Sequence, residues 1–159
     1  YYFGSKEGLY LAVLEEAYRR IRQIETSLRL EDMEPEAALR ALVGFTFDYQ
    51  LGNPEFIRLV MNENMHRGEF IRRSATIQEL NVPASNAVQA VYERRVGTGV
   101  FRPHMDPIDL HMSISALCFF NVANRHTFSA IFKRSLDEPS AQAQRRDSII
   151  DMVVRFVRC

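Results

Sequence analysis

The chain has 159 residues, 47% of them hydrophobic and 25% charged, which is the composition of an ordinary globular domain with a sizeable core. Its 20 basic and 20 acidic residues cancel, which excludes the globally basic balance of a free-standing nucleic-acid binder and the acidic balance of a solvating tail. Two cysteines, Cys118 and Cys159, make no disulfide framework and fit a reducing, cytoplasmic setting, and no apolar run approaches the roughly 18–20 residues of a membrane span.

Helix start and stop signals then follow one another along the chain, and no strand-like alternation is bounded by hairpin turns. Ser5 can cap a first helix with its hydroxyl, and Glu7 suits the positive end of the helix dipole. Leu9, Ala12, Val13, Ala17, Ile21 and Ile24 follow at helical spacing and define an apolar stripe to about Leu28. After the charged connector Glu31-Asp32-Met33-Glu34, Pro35 takes the first position of a second helix, where its missing N–H costs nothing. That helix runs to about Leu51 with Ala38, Leu42, Phe45 and Tyr49 on one stripe.

In Gly52-Asn53-Pro54 the glycine ends the second helix, the asparagine caps a third and the proline opens it. The third helix ends near Gly68. A fourth segment from Glu69 meets Pro83, which lacks a backbone donor and clashes with the preceding turn, so a kink or break is expected near Asn81. The helix resumes through Val88, Val91 and Tyr92 and stops at Gly97-Thr98-Gly99. Asp106-Pro107-Ile108-Asp109 combines a cap, a proline and an acid three residues after the cap. The helix it opens is expected to run to about Lys133, and a last helix spans roughly Ala141 to Arg158.

The two final helices carry apolar residues around more than one face, which calls for a central position or a partner chain. Leu110, Ile114, Leu117, Asn121, Asn124 and Phe128 keep a seven-residue rhythm, the seam of a helix–helix interface. With Ile149, Val153 and Phe156 of the last helix they are expected to form a four-helix seam across a two-fold axis, making a homodimer. The alternative is a single internal core.

Enzyme signatures are missing: there is no Gly-rich phosphate loop, no G-x-S-x-G and no C-x-x-C. Of His66, His104, His111 and His126, none lies four residues from another, so no metal-binding pair appears, and His104 and His111 read as surface residues. The chain is read as a non-enzyme without cofactor. On the third helix Phe56, Leu59, Val60, Glu63, His66 and Phe70 recur at three- and four-residue spacing, so Glu63 lies on the stripe facing the core. A carboxylate there needs partners or a raised pKa. A small-molecule cavity is therefore expected between the second, third, fourth and fifth helices. Its expected lining is Phe47, Leu59, Asn62, Glu63, His66 and Phe70, closed by Ser115, Phe119 and Val122 on a face of the fifth helix that the seam does not use.

The opening Tyr1-Tyr2-Phe3-Gly4-Ser5-Lys6-Glu7-Gly8-Leu9 resembles the aromatic-aromatic-Phe-x-Ser-Lys-Glu-x-Leu signature of TetR-family transcriptional regulators. There it joins the helix-turn-helix to the fourth helix. The resemblance implies an all-α regulatory domain of about six helices that dimerises by a four-helix bundle. It implies that residues 1–4 end the recognition helix, that 5–159 form the effector-binding and dimerisation domain, and that Tyr1, Tyr2 and Lys6 lie by the DNA backbone. By the same resemblance the partners are a second copy, an unknown small-molecule effector and, for the full-length regulator alone, operator DNA. The competing reading is a dimerisation or interaction module with no small ligand.

Overall fold

The computed structural model describes residues 4–96 and 99–158, with residues 84, 85, 95 and 96 described by backbone alone. The described residues form seven α-helices: α1 (Lys6–Ser27), α2 (Pro35–Gly52), α3 (Pro54–Met65), α4 (Ala75–Val96), α5 (Pro107–Ala123), α6 (Arg125–Phe132) and α7 (Pro139–Val157). Short 3₁₀ turns at Leu30–Asp32 and Ile71–Arg73 precede α2 and α4. The chain is thus all-α.

The helices start where local chemistry favours it. Ser5 Oγ accepts the Gly8 N–H at 3.0 Å, and Asp106 Oδ1 accepts the Ile108 N–H at 2.8 Å. Proline occupies the opening turn of α2, α3, α5 and α7. Asn53 differs from expectation: its amide turns back to the Tyr49 carbonyl at 2.8 Å, closing α2 instead of capping α3. The third helix also stops earlier, at Met65, where Arg67 and Gly68 both take positive φ and the Gly68 N–H returns to the Glu63 carbonyl at 2.7 Å.

Two larger corrections concern helix continuity. No break occurs near Asn81, and α4 stays helical through Pro83. Pro83 and Glu79 are both exposed, so the carbonyl deprived of its donor meets water rather than the core. The helix from Asp106, by contrast, is not one rod. It ends at Ala123, and Asn124, with non-helical backbone, serves as C-cap of α5 and flank of α6. The glycine stop at Gly97-Thr98 lies outside the described residues, as do Tyr1, Tyr2 and Cys159.

The main core is a filled cluster built from α2, α4, α5 and α7. Leu39, Leu42, Val43 and Phe47 meet Val88 and Val91, Leu110 and Ile114, and Ile149, Val153 and Val157. Cys118 is wholly buried there, and burial pushes its thiol up to about 12, so it is inert packing at neutral pH. Arg94 clamps the turn before α2 by donating to the Leu30, Glu31 and Met33 carbonyls at 3.0–3.1 Å. Tyr92 holds the approach to α5, donating to the Arg102 carbonyl at 2.5 Å and accepting the Met105 N–H at 2.9 Å.

One glycine of α2 makes room for a side chain that crosses from α7. The Arg146 guanidinium lies directly over Gly44 on its way to Asp48, and a Cβ at that position would collide with it. Arg146 grips Asp48 through Nε and Nη2 at 2.8–3.0 Å. Gly44→Ala gains about 1 kcal/mol of helix propensity but displaces this pair, whose half-exposed setting makes it worth roughly 0.2–1 kcal/mol. The substitution is therefore expected to stabilise an Arg146→Ala background by about 1 kcal/mol and the wild-type background by less. Urea denaturation of the four proteins measures the difference; equal effects in both backgrounds would exclude the contact.

Candidate functional site

Beside the main core, a smaller cluster forms from Ile21, Tyr49, Phe56, Ile57 and Val122. It does not close. A cavity of about 450 Å³ remains, bounded by α1 to α5 and by the 3₁₀ turn before α4. Tyr18, Phe45, Phe56 and Phe119 supply one ring each from four different helices. The Tyr18 and Phe56 rings meet edge to face at 5.4 Å. Ile21, Val60, Ile71 and Ile77 fill between the rings.

A few polar groups interrupt this wall. The Thr46 hydroxyl is spent on the Leu42 carbonyl at 2.8 Å, and the Asn81 amide on the Ile77 carbonyl at 2.7 Å. Gln50 is only 6% exposed, yet its Oε1 has no hydrogen-bond partner among the described residues. Arg22 binds Glu25 through Nη1, but its buried Nε is likewise unpartnered. Desolvation pushes the Glu25 carboxyl above its ordinary range, against the pull of Arg22. Desolvation, joined by the Arg22 charge, lowers the His111 pKa, so its imidazole is neutral at pH 7. Small-molecule sites are commonly built from apolar and aromatic walls with a few polar groups.

The sequence-expected lining divides in two. Ser115 and Phe119 face the cavity, and Val122 packs in the cluster around it. Phe47 lies in the main core instead, because α2 presents Phe45, Thr46 and Gln50 to the cavity. Glu63 is buried at 1% exposure but beside the cavity. Its Oε1 accepts the Tyr10 hydroxyl at 2.9 Å and its Oε2 the Ile71 N–H at 3.1 Å. Asn62 donates to the Tyr10 oxygen at 2.8 Å, and the Phe70 ring stands edge-on to Tyr10 at 4.8 Å. Asn62, Glu63 and Phe70 therefore staple α1 to the end of α3. His66 is exposed with Nδ1 on the Asn62 carbonyl, and Leu59 is half-buried on α3 away from the cavity.

Among the polar lining residues that were not anticipated are Arg22, Glu25, Gln50 and His111. The expected stripe on α1 is rotated. Leu14, Ile21 and Glu25 are buried, whereas Leu9, Val13 and Ile24 are each more than 40% exposed. The usable signal was Leu14-Tyr18-Ile21-Glu25, a stripe of helical spacing that ends on a charge. Arg22 and Glu25 also line a wider, open groove of about 940 Å³ between α1, α4 and the turn at Leu30–Asp32. His111, read as a surface residue, is a half-buried part of the cavity wall.

The residues expected in the dimer seam are placed differently too. Leu110, Ile114, Ile149 and Val153 belong to the protomer's own core, Leu117 packs against it, and Asn121 is buried. Asn124 is the joint between α5 and α6, while Phe128 stacks with Phe120 and Phe132 on the outside. On the last three helices the exposed large apolar residues are Ile108, Met112 and Phe120 of α5, Ile131 and Phe132 of α6, and Met152 and Phe156 of α7. Lys6 is exposed in the first turn of α1. No group of three potential metal ligands occurs among the described residues, and none of their helices is long and apolar enough to cross a membrane.

Residues 35–153 match the family model described as the tetracyclin repressor-like C-terminal domain. The chain belongs to the TetR family. It is 37% identical over 158 residues to the HTH-type transcriptional repressor NicS of Pseudomonas putida, a match that covers 99% of this chain and 74% of that protein. The TetR-family match takes in α2 to α6 and most of α7, so most of the main core and three of the helices that supply rings to the cavity fall within it. The fourth, α1, lies outside the matched domain. Its attachment through Tyr10 and Glu63 is testable: Tyr10→Phe leaves a buried carboxylate oxygen without its donor and is expected to cost about 1–3 kcal/mol. Chemical denaturation reads that loss; an unchanged midpoint would mean the staple carries no load.

Proposed function

We propose that this TetR-family domain is the ligand-sensing and dimerisation domain of a transcriptional repressor, and that its effector binds in the cavity between α1 and α5. The carrying observation is the hollow second cluster: four rings around a space bordered by Gln50, whose buried Oε1 has no hydrogen-bond partner among the described residues. Filling it with aliphatic side chains would stabilise the fold at about 25 cal/mol per Å² of apolar surface buried, so the hollow runs against stability alone. The effector-binding residues are Tyr18, Phe45, Gln50, Phe56, Ser115 and Phe119. In a regulator that carries this domain, the effector favours a setting of α1 that operator DNA disfavours, and release extends only as far as that differential affinity. Operator DNA is a partner of the full-length regulator, with Lys6 at the α1 start as a backbone contact. The domain works by binding alone, without catalysis or cofactor.

A metabolite screen by thermal shift tests the sensor reading. A true effector gives saturable stabilisation, about 2.7 kcal/mol at a hundred times Kd. Phe119→Ala is expected to remove that shift while leaving the oligomeric state intact. A screen without a saturable hit would favour an interaction module instead.

The dimer seam follows from the exposed face. Met112 and Phe120 of α5 and Met152 and Phe156 of α7 are each more than 40% exposed. Between the helices Phe120, Asn121, Phe128 and Arg145 border a hollow of about 350 Å³ that can receive a partner's side chain. The second copy covers this face, burying on the order of 1,200–2,000 Å² in total. Phe120→Arg and Met152→Arg, which leave the protomer's core untouched, are each expected to give monomer. Sedimentation velocity at tens of micromolar, a concentration that suits a stable interface, decides; a monomeric wild type refutes the seam.

A further inference from the structure

Among the described residues, Arg22 and Glu25 alone border both the inner cavity and the open α1/α4 groove. The partition between the two hollows is therefore a pair of side chains from one turn of α1. They are joined to each other, Arg22 Nη1 donating to Glu25 Oε2. The two residues are three apart on one helix, so their bond holds no two elements together. In this it differs from the Tyr10–Glu63 bond, which ties α1 to α3, and from the Ser74–Glu15 bond, which ties α1 to the start of α4.

A permanent wall would be made of something else. Glu25 ends the stripe Leu14-Tyr18-Ile21-Glu25, where a leucine or methionine would seal the cavity without taking a charge out of water. Burial raises the Glu25 carboxyl pKa against the pull of Arg22, and the buried Arg22 Nε has no hydrogen-bond partner among the described residues. The closed arrangement thus leaves polar groups unmet. The groove beyond it is open to water and bordered by the polar side chains of Arg19, Gln23, Thr26 and Glu79. Both charged ends gain water when they turn outward, and a change of rotamer moves them without shifting a helix. Parting the rings of Tyr18, Phe45, Phe56 and Phe119 would instead expose apolar surface.

We propose that the Arg22–Glu25 pair is the gate of the cavity: the effector enters from the α1/α4 groove while both side chains swing outward, and the pair re-forms behind it. This rests on the cavity being the effector site. The groove is then an antechamber, at about 940 Å³ wide enough to admit whatever the cavity of about 450 Å³ holds. A gate of this kind acts on the rates of entry and exit alike. Its closing leaves no helix contact to be remade, because the pair lies within one helix.

The route is tested with a thiol inside the cavity. Ser115→Cys places one on the cavity wall, and the probe is methyl methanethiosulfonate, a small neutral thiol reagent. Cys159→Ser removes the terminal thiol. Cys118, wholly buried in the main core with its thiol pushed up to about 12, is the internal control. Peptide mass spectrometry follows both thiols over time. Glu25→Ala and the charge-balanced Arg22→Ala/Glu25→Ala pair are each expected to speed modification of the introduced thiol about tenfold or more. Leu80→Trp, which narrows the groove from a position outside the cavity lining, is expected to slow it about threefold or more with the gate intact. Cys118 is expected to stay unmodified throughout. Unchanged rates in the gate variants, or indifference to Leu80→Trp, overturn the gate. Acceleration that Cys118 shares reports loosening of the whole fold and overturns it too. The effector site itself stands or falls separately, with the thermal shift that Phe119→Ala removes.

Discussion

Helix α5 has to satisfy three different neighbours at once, and most of the molecule is arranged around that demand. Successive residues on an α-helix are about 100° apart, so stripes that begin at three consecutive residues divide its circumference into three sectors. Leu110, Ile114 and Cys118 fill the main core against α2 and α7. His111, Ser115 and Phe119 wall the cavity. Met112, Ala116 and Phe120 stay exposed. A helix apolar all round must be buried all round, and here one sector meets a filled core, one a hollow and one the outside.

This division explains what was legible in the amino-acid pattern and what was not. Caps and prolines act locally, so Ser5, Pro35, Pro54 and Asp106 mark their helices within a residue or two. Periodicity reports that a face is covered but not by what. The stripe from Leu110 through Ile114 to Leu117 is real, and it packs into the protomer's own core. The joint at Asn124 was hidden because apolar residues continue across it on both sides. Pro83 acts in the opposite sense: it does not break α4, which stays helical through it at a point where Pro83 and Glu79 are both exposed.

The candidate site was harder to read for a related reason. A hollow is lined by groups that a sequence scan assigns elsewhere. Arg22, Glu25, Gln50 and His111 are residue types ordinarily found at the surface. Only their proximity across three helices makes them walls. Glu63 illustrates the limit: its position on an apolar stripe correctly marked a carboxylate out of water, but a stripe does not distinguish a cavity from a staple.

That staple and that cavity share a residue, which gives α1 its place in the architecture. Ile71 borders the cavity while its N–H is held by Glu63, and Glu63 in turn holds Tyr10 in the first half of α1. Ser74 adds a second tie nearby, donating to Glu15 at 2.6 Å while capping α4 at the Ile77 N–H. The other half of α1 enters the cavity wall directly through Tyr18, Ile21 and Arg22. So α1 touches the hollow at one end and is tied to the hollow's rim at the other. Any rearrangement of the wall must either break hydrogen bonds to a buried carboxylate, at roughly 1–3 kcal/mol each, or carry the start of α1 along with it. Those bonds make the second course the cheaper one, and Lys6 and the capped N-terminus of α1 are where such a displacement emerges.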